Sequence, residues 1–231
     1  FVLKYIASKL ELKKNEEIHQ AKLKFFTEVS HEFRTPLTLI IDPLDKIIGG
    51  QLTLDVIRQY SIVMQRNAKH LLTLINQLLD FRKLESGQLT LKIQKTDIVN
   101  FARVLASSFN VIAEQRNIKF EVISDVESFD LGFDSSKINM VLNNLISNAF
   151  KFTPDGGEII VKIEKPSKLP DGILISVTDS GKGIPKDDQA KVFDMFYQSS
   201  KNTSWQAGSG IGLALTKELV LLHNGTITVQ S

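Results

Sequence analysis

The hydrophobic pattern of the chain changes period once, near Gly87, and that change limits the fold more than any other feature. Up to about residue 86 apolar side chains recur at helical spacing, interrupted at GGQLT (Gly49 to Thr53), a turn between two long helices. In the second helix Ile57, Ser61, Met64, Ala68, Leu71, Ile75 and Leu78 alternate steps of four and three, which is a heptad seam. Leu72, Leu74, Leu79 and Phe81 widen the seam beyond what one partner helix covers. The surplus predicts a hairpin that pairs with a second copy into a four-helix bundle. Packing of the hairpin on the C-terminal half of its own chain is the alternative.

Beyond ESGQ (Glu85 to Gln88) the period shortens. LTLKIQ, IKFEVI, GEIIVKIEK and GILISVTD alternate like half-buried strands, separated by helical stretches over 97–116, 135–152 and 210–223. This order predicts a sheet covered on one side by helices, an α/β sandwich. The fold class is therefore α+β multidomain: a helical hairpin followed by an α/β sandwich, with the boundary near Gly87.

Composition excludes several functions. The chain has 231 residues and no cysteine, so disulfides, thiolate metal sites and cysteine nucleophiles are absent. A net charge of +2 makes no broad electrostatic case for nucleic acid or anionic lipid. The longest apolar runs are only a few residues, too short to span a bilayer, and the opening FVLKYIASKLELKK is too charged for a signal peptide. The chain opens without Met and closes inside the strand-like run GTITVQS, so it reads as a piece of a longer protein whose last strand is truncated.

FFTEVSHEFRTPLTLI (Phe25 to Ile40) is an amphipathic helix that carries both a histidine and a proline. Phe26, Val29, Phe33, Leu37, Ile40, Leu44 and Ile47 share one arc of the helical wheel, and His31 points roughly 165° from its centre. A buried, satisfied core histidine is thereby excluded, and an ordinary surface histidine remains open. Thr35 lies one turn on and Thr38 on the same side. Glu32 is adjacent, and a carboxylate on Nδ1–H would raise the nucleophilicity of Nε2. Pro36 has no N–H, so the Glu32 carbonyl loses its helical partner.

In DSSKINMVLNNLISNAFKFTPDGG, Ile138, Val141, Leu142, Leu145, Ala149 and Phe152 form the expected buried arc. Asn144, Asn148 and Lys151 converge on a flank of it, where amide oxygens suit Mg²⁺ and an ammonium neutralises phosphate. The plain alternative is a polar helix face, disfavoured because asparagine is a poor helix former. GILISVTD ends in Asp179 and runs into SGKGIP. A carboxylate at a strand end can accept the exocyclic amine of a base, and Gly181 and Gly183 permit close backbone approach. Taken alone, that is an ordinary glycine turn. Gly208, Gly210 and Gly212 open the next helix, where free N–H groups attract phosphate, without the GK[ST] of a P-loop. The intervening YQSSKNTSWQA reads as a mobile lid; Trp205 is expected to pack within it, the alternative being a contact with the nucleotide.

SHEFRTPL closely resembles the H-box of sensor histidine kinases, and NLISNAFKFTP, DSGKGIP, VFDMFYQ and GSGIGLAL follow in the order of their N, G1, F and G2 boxes. The wording around His31 is most like hybrid two-component sensors of the Bacteroidetes type. The resemblance implies a signalling linker helix over 1–24, a dimerisation and histidine phosphotransfer domain over 25–87 and a Bergerat-type ATP-binding domain over 88–231. It implies autophosphorylation of His31 by ATP, with Glu32 as general base and Thr35 positioning water for dephosphorylation of a response regulator. It further implies that Asn148 coordinates Mg²⁺ and that Asn144 and Lys151 lie near the phosphates. Asp179 would read adenine beside Gly181 and Gly183, and Gly208, Gly210 and Gly212 would cradle phosphate. Phe193 and Phe196 would anchor the lid. The implied partners are a second copy and a response-regulator receiver domain, separate or fused, with no nucleic acid. The fragment would be the cytoplasmic portion of a membrane-anchored sensor. Two other readings are a nucleotide-binding dimerisation module without turnover and an ATPase of the chaperone or mismatch-repair type; the histidine hairpin argues against the latter. His19, His70 and His223 lack such company and are expected at the surface or as caps. Asn224-Gly225 stands where paired glycines are usual, a place where asparagine tolerates a left-handed turn.

Overall fold

Two long helices, α1 (Val2–Ile48) and α2 (Leu54–Glu85), precede the change of period, as the heptad pattern predicts. The computed structural model describes residues 2–50, 52–167, 171–195, 197 and 210–231. The chain divides into two compact units, Phe1–Asp80 and Phe81–Ser231. In the first, α1 runs unbroken through Pro36 and Pro43. Val29, Phe33, Ile40 and Ile47 are half-buried, as are Ile57, Met64, Leu71 and Leu78 of the seam. Leu74 is buried at 4% exposure rather than merely widening that stripe. Leu72 and Leu79 stay exposed.

The second unit contains β1 (Gln94–Asp97), α3 (Ile98–Ser107), α4 (Asn110–Gln115), β2 (Lys119–Ser124), β3 (Asp130–Phe133), α5 (Ser135–Phe152), β4 (Glu158–Glu164), β5 (Leu174–Asp179), α6 (Lys186–Gln189) and α7 (Gly212–Leu222). β4 lies at the centre of a three-stranded sheet, parallel to β2 and antiparallel to β5. Its alternation is decisive. Ile159, Val161 and Ile163 point into a core shared with Ala102 and Leu105 of α3 and Leu142, Ile146 and Phe150 of α5. Each such side chain contributes about 1.5–3 kcal/mol. On the other face Lys119 pairs with Glu158 at 2.7 Å and Lys162 with Glu164 at 2.7 Å. Helices thus cover one side of the sheet, the expected α/β sandwich.

Three local expectations are corrected, and one strand pair is added to them. The strand expected over LTLKIQ starts only at Gln94, because the Lys92 N–H is taken by the Asp134 carboxylate at 2.8 Å instead of a ladder. The helix expected over 97–116 breaks at Ser108–Phe109, where the Ser107 and Ser108 hydroxyls donate to Val104 O and Leu105 O, each at 2.7 Å. Strand β3 pairs antiparallel with β1, a short ribbon the alternation does not announce. The run GTITVQS pairs with no strand among the described residues; Ser231 Oγ instead accepts from Ile184 N at 2.7 Å. The left-handed turn at Asn224 is present, with φ +57° closing α7.

Candidate functional site

Within the first unit the residue of chemical interest is His31, which is exposed on α1, as its place on the wheel requires. Pro36, one turn further, is buried, and Glu32 is half-buried. The Thr35 hydroxyl donates to His31 O at 3.3 Å, while Thr38 donates to Arg34 O at 2.9 Å. Both threonines therefore bond back along their own helix rather than to the imidazole.

The second unit gathers most of the other predicted residues around α5. Its buried stripe is Val141, Leu142, Ile146, Ala149 and Phe150, shifted from the expected arc. Leu145 and Ile138 are half-buried, and so is Phe152, which leaves the core for a cleft. That cleft, about 470 Å³, is lined by Lys151, Phe152, Pro154, Ser180, Gly181 and Lys182. The Lys151 and Lys182 ammonium groups lie 5.4 and 5.5 Å from the Phe152 ring centroid. An aromatic face flanked by two cations suits an anionic ligand carrying a flat ring.

Asp179 ends β5 exposed, and its Oδ1 accepts from Gly181 N at 2.8 Å. A Cβ at Gly181 would sit 2.7 Å from Phe152 O and 2.6 Å from Asp179 Oδ1, so only glycine lets this loop close on α5. Gly183 follows at φ +70°. Gly210 also has φ +65°, ahead of α7. Ile211, the N-cap of α7, makes no side-chain cap hydrogen bond. Gly208, Phe196 and Trp205 lie outside the described residues, as does the expected lid beyond Tyr197. Phe193 is half-buried. The Tyr197 hydroxyl donates to Asp188 Oδ1 at 2.5 Å, and that bond pushes its pKa up to about 12.

The two asparagines differ. Asn144 Nδ2 donates to the buried Thr216 hydroxyl of α7 at 2.9 Å. Its Oδ1 would lie 2.4 Å from a Cβ at Gly212, so that glycine makes room for the α5–α7 tie. Asn148 is half-buried and its amide has no side-chain hydrogen bond among the described residues. A hard-cation ligand needs such a free amide oxygen, so Asn148 fits Mg²⁺ and Asn144 as placed is a strut.

Two fastenings hold α5 at its ends, and sequence reasoning missed both. At the C-terminal end Arg116, from the turn after α4, donates to the carbonyls of Phe150 and Thr153 and to Asp155 Oδ1 at 2.7 Å. It caps the helix end beside Lys151 and Phe152. At the N-terminal end Asp134, only 4% exposed, accepts from Ser136 N at 3.0 Å, Lys137 N at 3.2 Å and Lys92 N at 2.8 Å. Burial alone would raise its pKa, but the bonds from Lys92, Ser136 and Lys137 outweigh it and hold the carboxyl below the usual range. His223 closes the same corner. Its Nε2 accepts from Asp134 N at 3.1 Å, which places the proton on Nδ1, 2.7 Å from Leu219 O. The expected capping role thus gains a tertiary partner. DSSK does carry a helix-start signature, but nothing in it names Lys92 or His223.

Comparison with known proteins bears on both units. The model for the His Kinase A (phospho-acceptor) domain matches residues 21–87. The model for histidine kinase-, DNA gyrase B- and HSP90-like ATPases matches residues 133–231. Among curated relatives, histidine kinase P4 of Formosa agariphila is 41% identical over 222 residues, covering 94% of this chain and 16% of that protein. Hybrid signal transduction histidine kinase D of Dictyostelium discoideum is 37% identical over 222 residues, covering 94% of this chain and 14% of that protein. The chain thus spans about a sixth or less of the length of these relatives. Among solved structures, Acinetobacter baumannii histidine kinase AdeS superposes with a TM-score of 0.66 at 23% identity, covering 87% of this chain and 91% of that one. Among the described residues no helix is long and apolar enough to cross a membrane.

Proposed function

The chain belongs to the sensor histidine kinase family, and from that premise we propose that it transfers the γ-phosphoryl group of ATP to His31 and then to an aspartate of a response regulator. His31 Nε2 attacks the γ-phosphorus, an N–P bond forms, the bond to the β-phosphate oxygen breaks, and ADP leaves. Glu32 takes the imidazole proton. Lys151 and the N-terminal end of α7 offset phosphate charge, and Asp179 orients the base beside Phe152. Asn148 would hold Mg²⁺, which supplies further charge neutralisation when bound. Phosphoryl transfer depends on positioning and charge more than on covalent help, which is what this set of residues offers.

The exposure of His31, in a chain whose other unit is an ATPase-type domain, carries the reading. A homodimer fits the same picture, since Leu37, Leu44, Leu72 and Leu79 are 46%, 42%, 58% and 53% exposed on the hairpin. Thr35 would position water when the phosphorylated regulator is hydrolysed. The junction over 85–88 would act as hinge and residues 1–24 as the signal input. The full protein would be anchored in a membrane through parts outside this chain.

Incubation with γ-labelled ATP and Mg²⁺ tests the proposal. Acid-labile, base-stable label is expected in the parent chain and is lost in His31→Ala and Asn148→Ala. A parent chain that binds ATP and forms dimers yet takes no label would instead be a nucleotide-binding module without turnover.

A further inference from the structure

Both helices that face the proposed nucleotide site are tied to one buried residue, Asp134: α5 to its carboxylate and α7 to its backbone N–H. α5, which carries Asn144, Asn148 and Lys151, starts on Asp134 Oδ1. α7 starts beside Gly210 and ends at His223, whose Nε2 takes the Asp134 N–H. The other carboxylate oxygen, Oδ2, holds the N–H of Lys92 at 2.8 Å, in the segment that leads out of α2. We infer that Asp134 is a positioning residue that latches this segment to the nucleotide helices, so that nucleotide occupancy and the order of residues 88–93 are coupled.

The physical case follows from what surrounds the latch. Between Gln88 and Ile93 only Leu89 and Leu91 are even half-buried, and the Gln88 and Leu89 N–H groups bond back to Lys83 O, so the far end of the segment is held chiefly by the bond from Lys92 to Asp134. The carboxylate is held ionised, which makes that bond charge-assisted. Ligand contacts along α5 and at the start of α7 damp the motion of two rigid helices, and both transmit that order to the corner where Lys92 is tied. A segment ordered by nucleotide must in turn favour nucleotide, by the same factor.

The latch rests on the nucleotide reading above, and hydrogen–deuterium exchange of the 231-residue chain with and without ADP and Mg²⁺ separates the two. ADP is expected to slow exchange over 88–93 by about fivefold or more, the low end of ordinary coupling between sites. Asp134→Asn keeps the helix cap, since asparagine caps as well as aspartate, but turns an N–H₂ toward Lys92. Lys92→Pro removes the donor and leaves Asp134 intact. In both variants the slowing over 88–93 should vanish and the ADP dissociation constant should rise by the factor lost. A merely structural cap, which asparagine supplies as well, would leave the ADP-dependent slowing in place in Asp134→Asn, which would overturn the latch. So would ADP slowing α5 but not 88–93 in the parent chain. If ADP slows neither segment, the nucleotide reading itself falls and the latch with it.

Discussion

The two units place their apolar side chains in opposite ways. In Phe81–Ser231 the alternation of β4 and the stripes of α3 and α5 meet in a closed core, with Val99, Ile159 and Ile163 fully buried. In Phe1–Asp80 the described apolar residues are mostly half-buried or exposed, Pro36 and Leu74 being buried. One unit completes itself; the other presents a surface that asks for another chain. The difference fits a division of labour in which a self-sufficient ATP-binding domain serves a hairpin whose state depends on assembly.

The most severe way to break the comparison is inside the core. Phe150 stacks on Phe109 at 5.4 Å and meets Phe120 edge-on at 5.2 Å, so Phe150→Ala should cost about 3–5 kcal/mol in urea denaturation of the ATP-binding unit. A cost under about 1 kcal/mol would mean the core is not closed as described. On the hairpin, Leu72→Ser with Leu79→Ser should leave that transition in place but weaken the proposed dimer about tenfold or more per site, read by sedimentation equilibrium. An unchanged association constant would show that the exposed stripe faces solvent in the assembly too.

Arg116 sharpens the comparison within the second unit. Arg116→Ala should cost about 1.5–3 kcal/mol by orphaning the α5 carbonyls, and should raise KM for ATP more than it lowers kcat. Arg116→Lys should recover little, because an ammonium cannot match the fork. The smallest effect is with pH. Asp134 has a lowered pKa in the fold, so its contribution is present above the ordinary carboxylate pKa of about 4 and is lost as pH falls through the folded value. Asp134→Asn should therefore flatten the acid limb of a stability–pH curve and leave the neutral region nearly parallel to the parent. An unaltered acid limb would contradict the assigned bonds.

What was legible in the sequence follows from the range of the forces involved. Heptads, alternation and His31's place on a wheel are local, and the helices, the β4 core face and the exposed imidazole match them. Ser107-Ser108 is a local signal of the break after α3 that outweighed no pattern, because each serine is also tolerated within a helix. Arg116, His223 and the Lys92 N–H act across the fold, and a residue type does not say which distant carbonyl or carboxylate it will meet. Phe152 shows the same limit. Its spacing on α5 says buried, yet the approach of Gly181 and the two lysines makes it the wall of a cleft.

Site-resolved mass spectrometry of the chain after incubation with ATP and Mg²⁺, at neutral to alkaline pH where phosphohistidine survives, tests the account at its centre. The prediction is a single phosphoryl group on the imidazole of His31, absent when Asn148 is replaced by Ala. Phosphate found on another side chain, or none in a chain that demonstrably binds nucleotide, would contradict it.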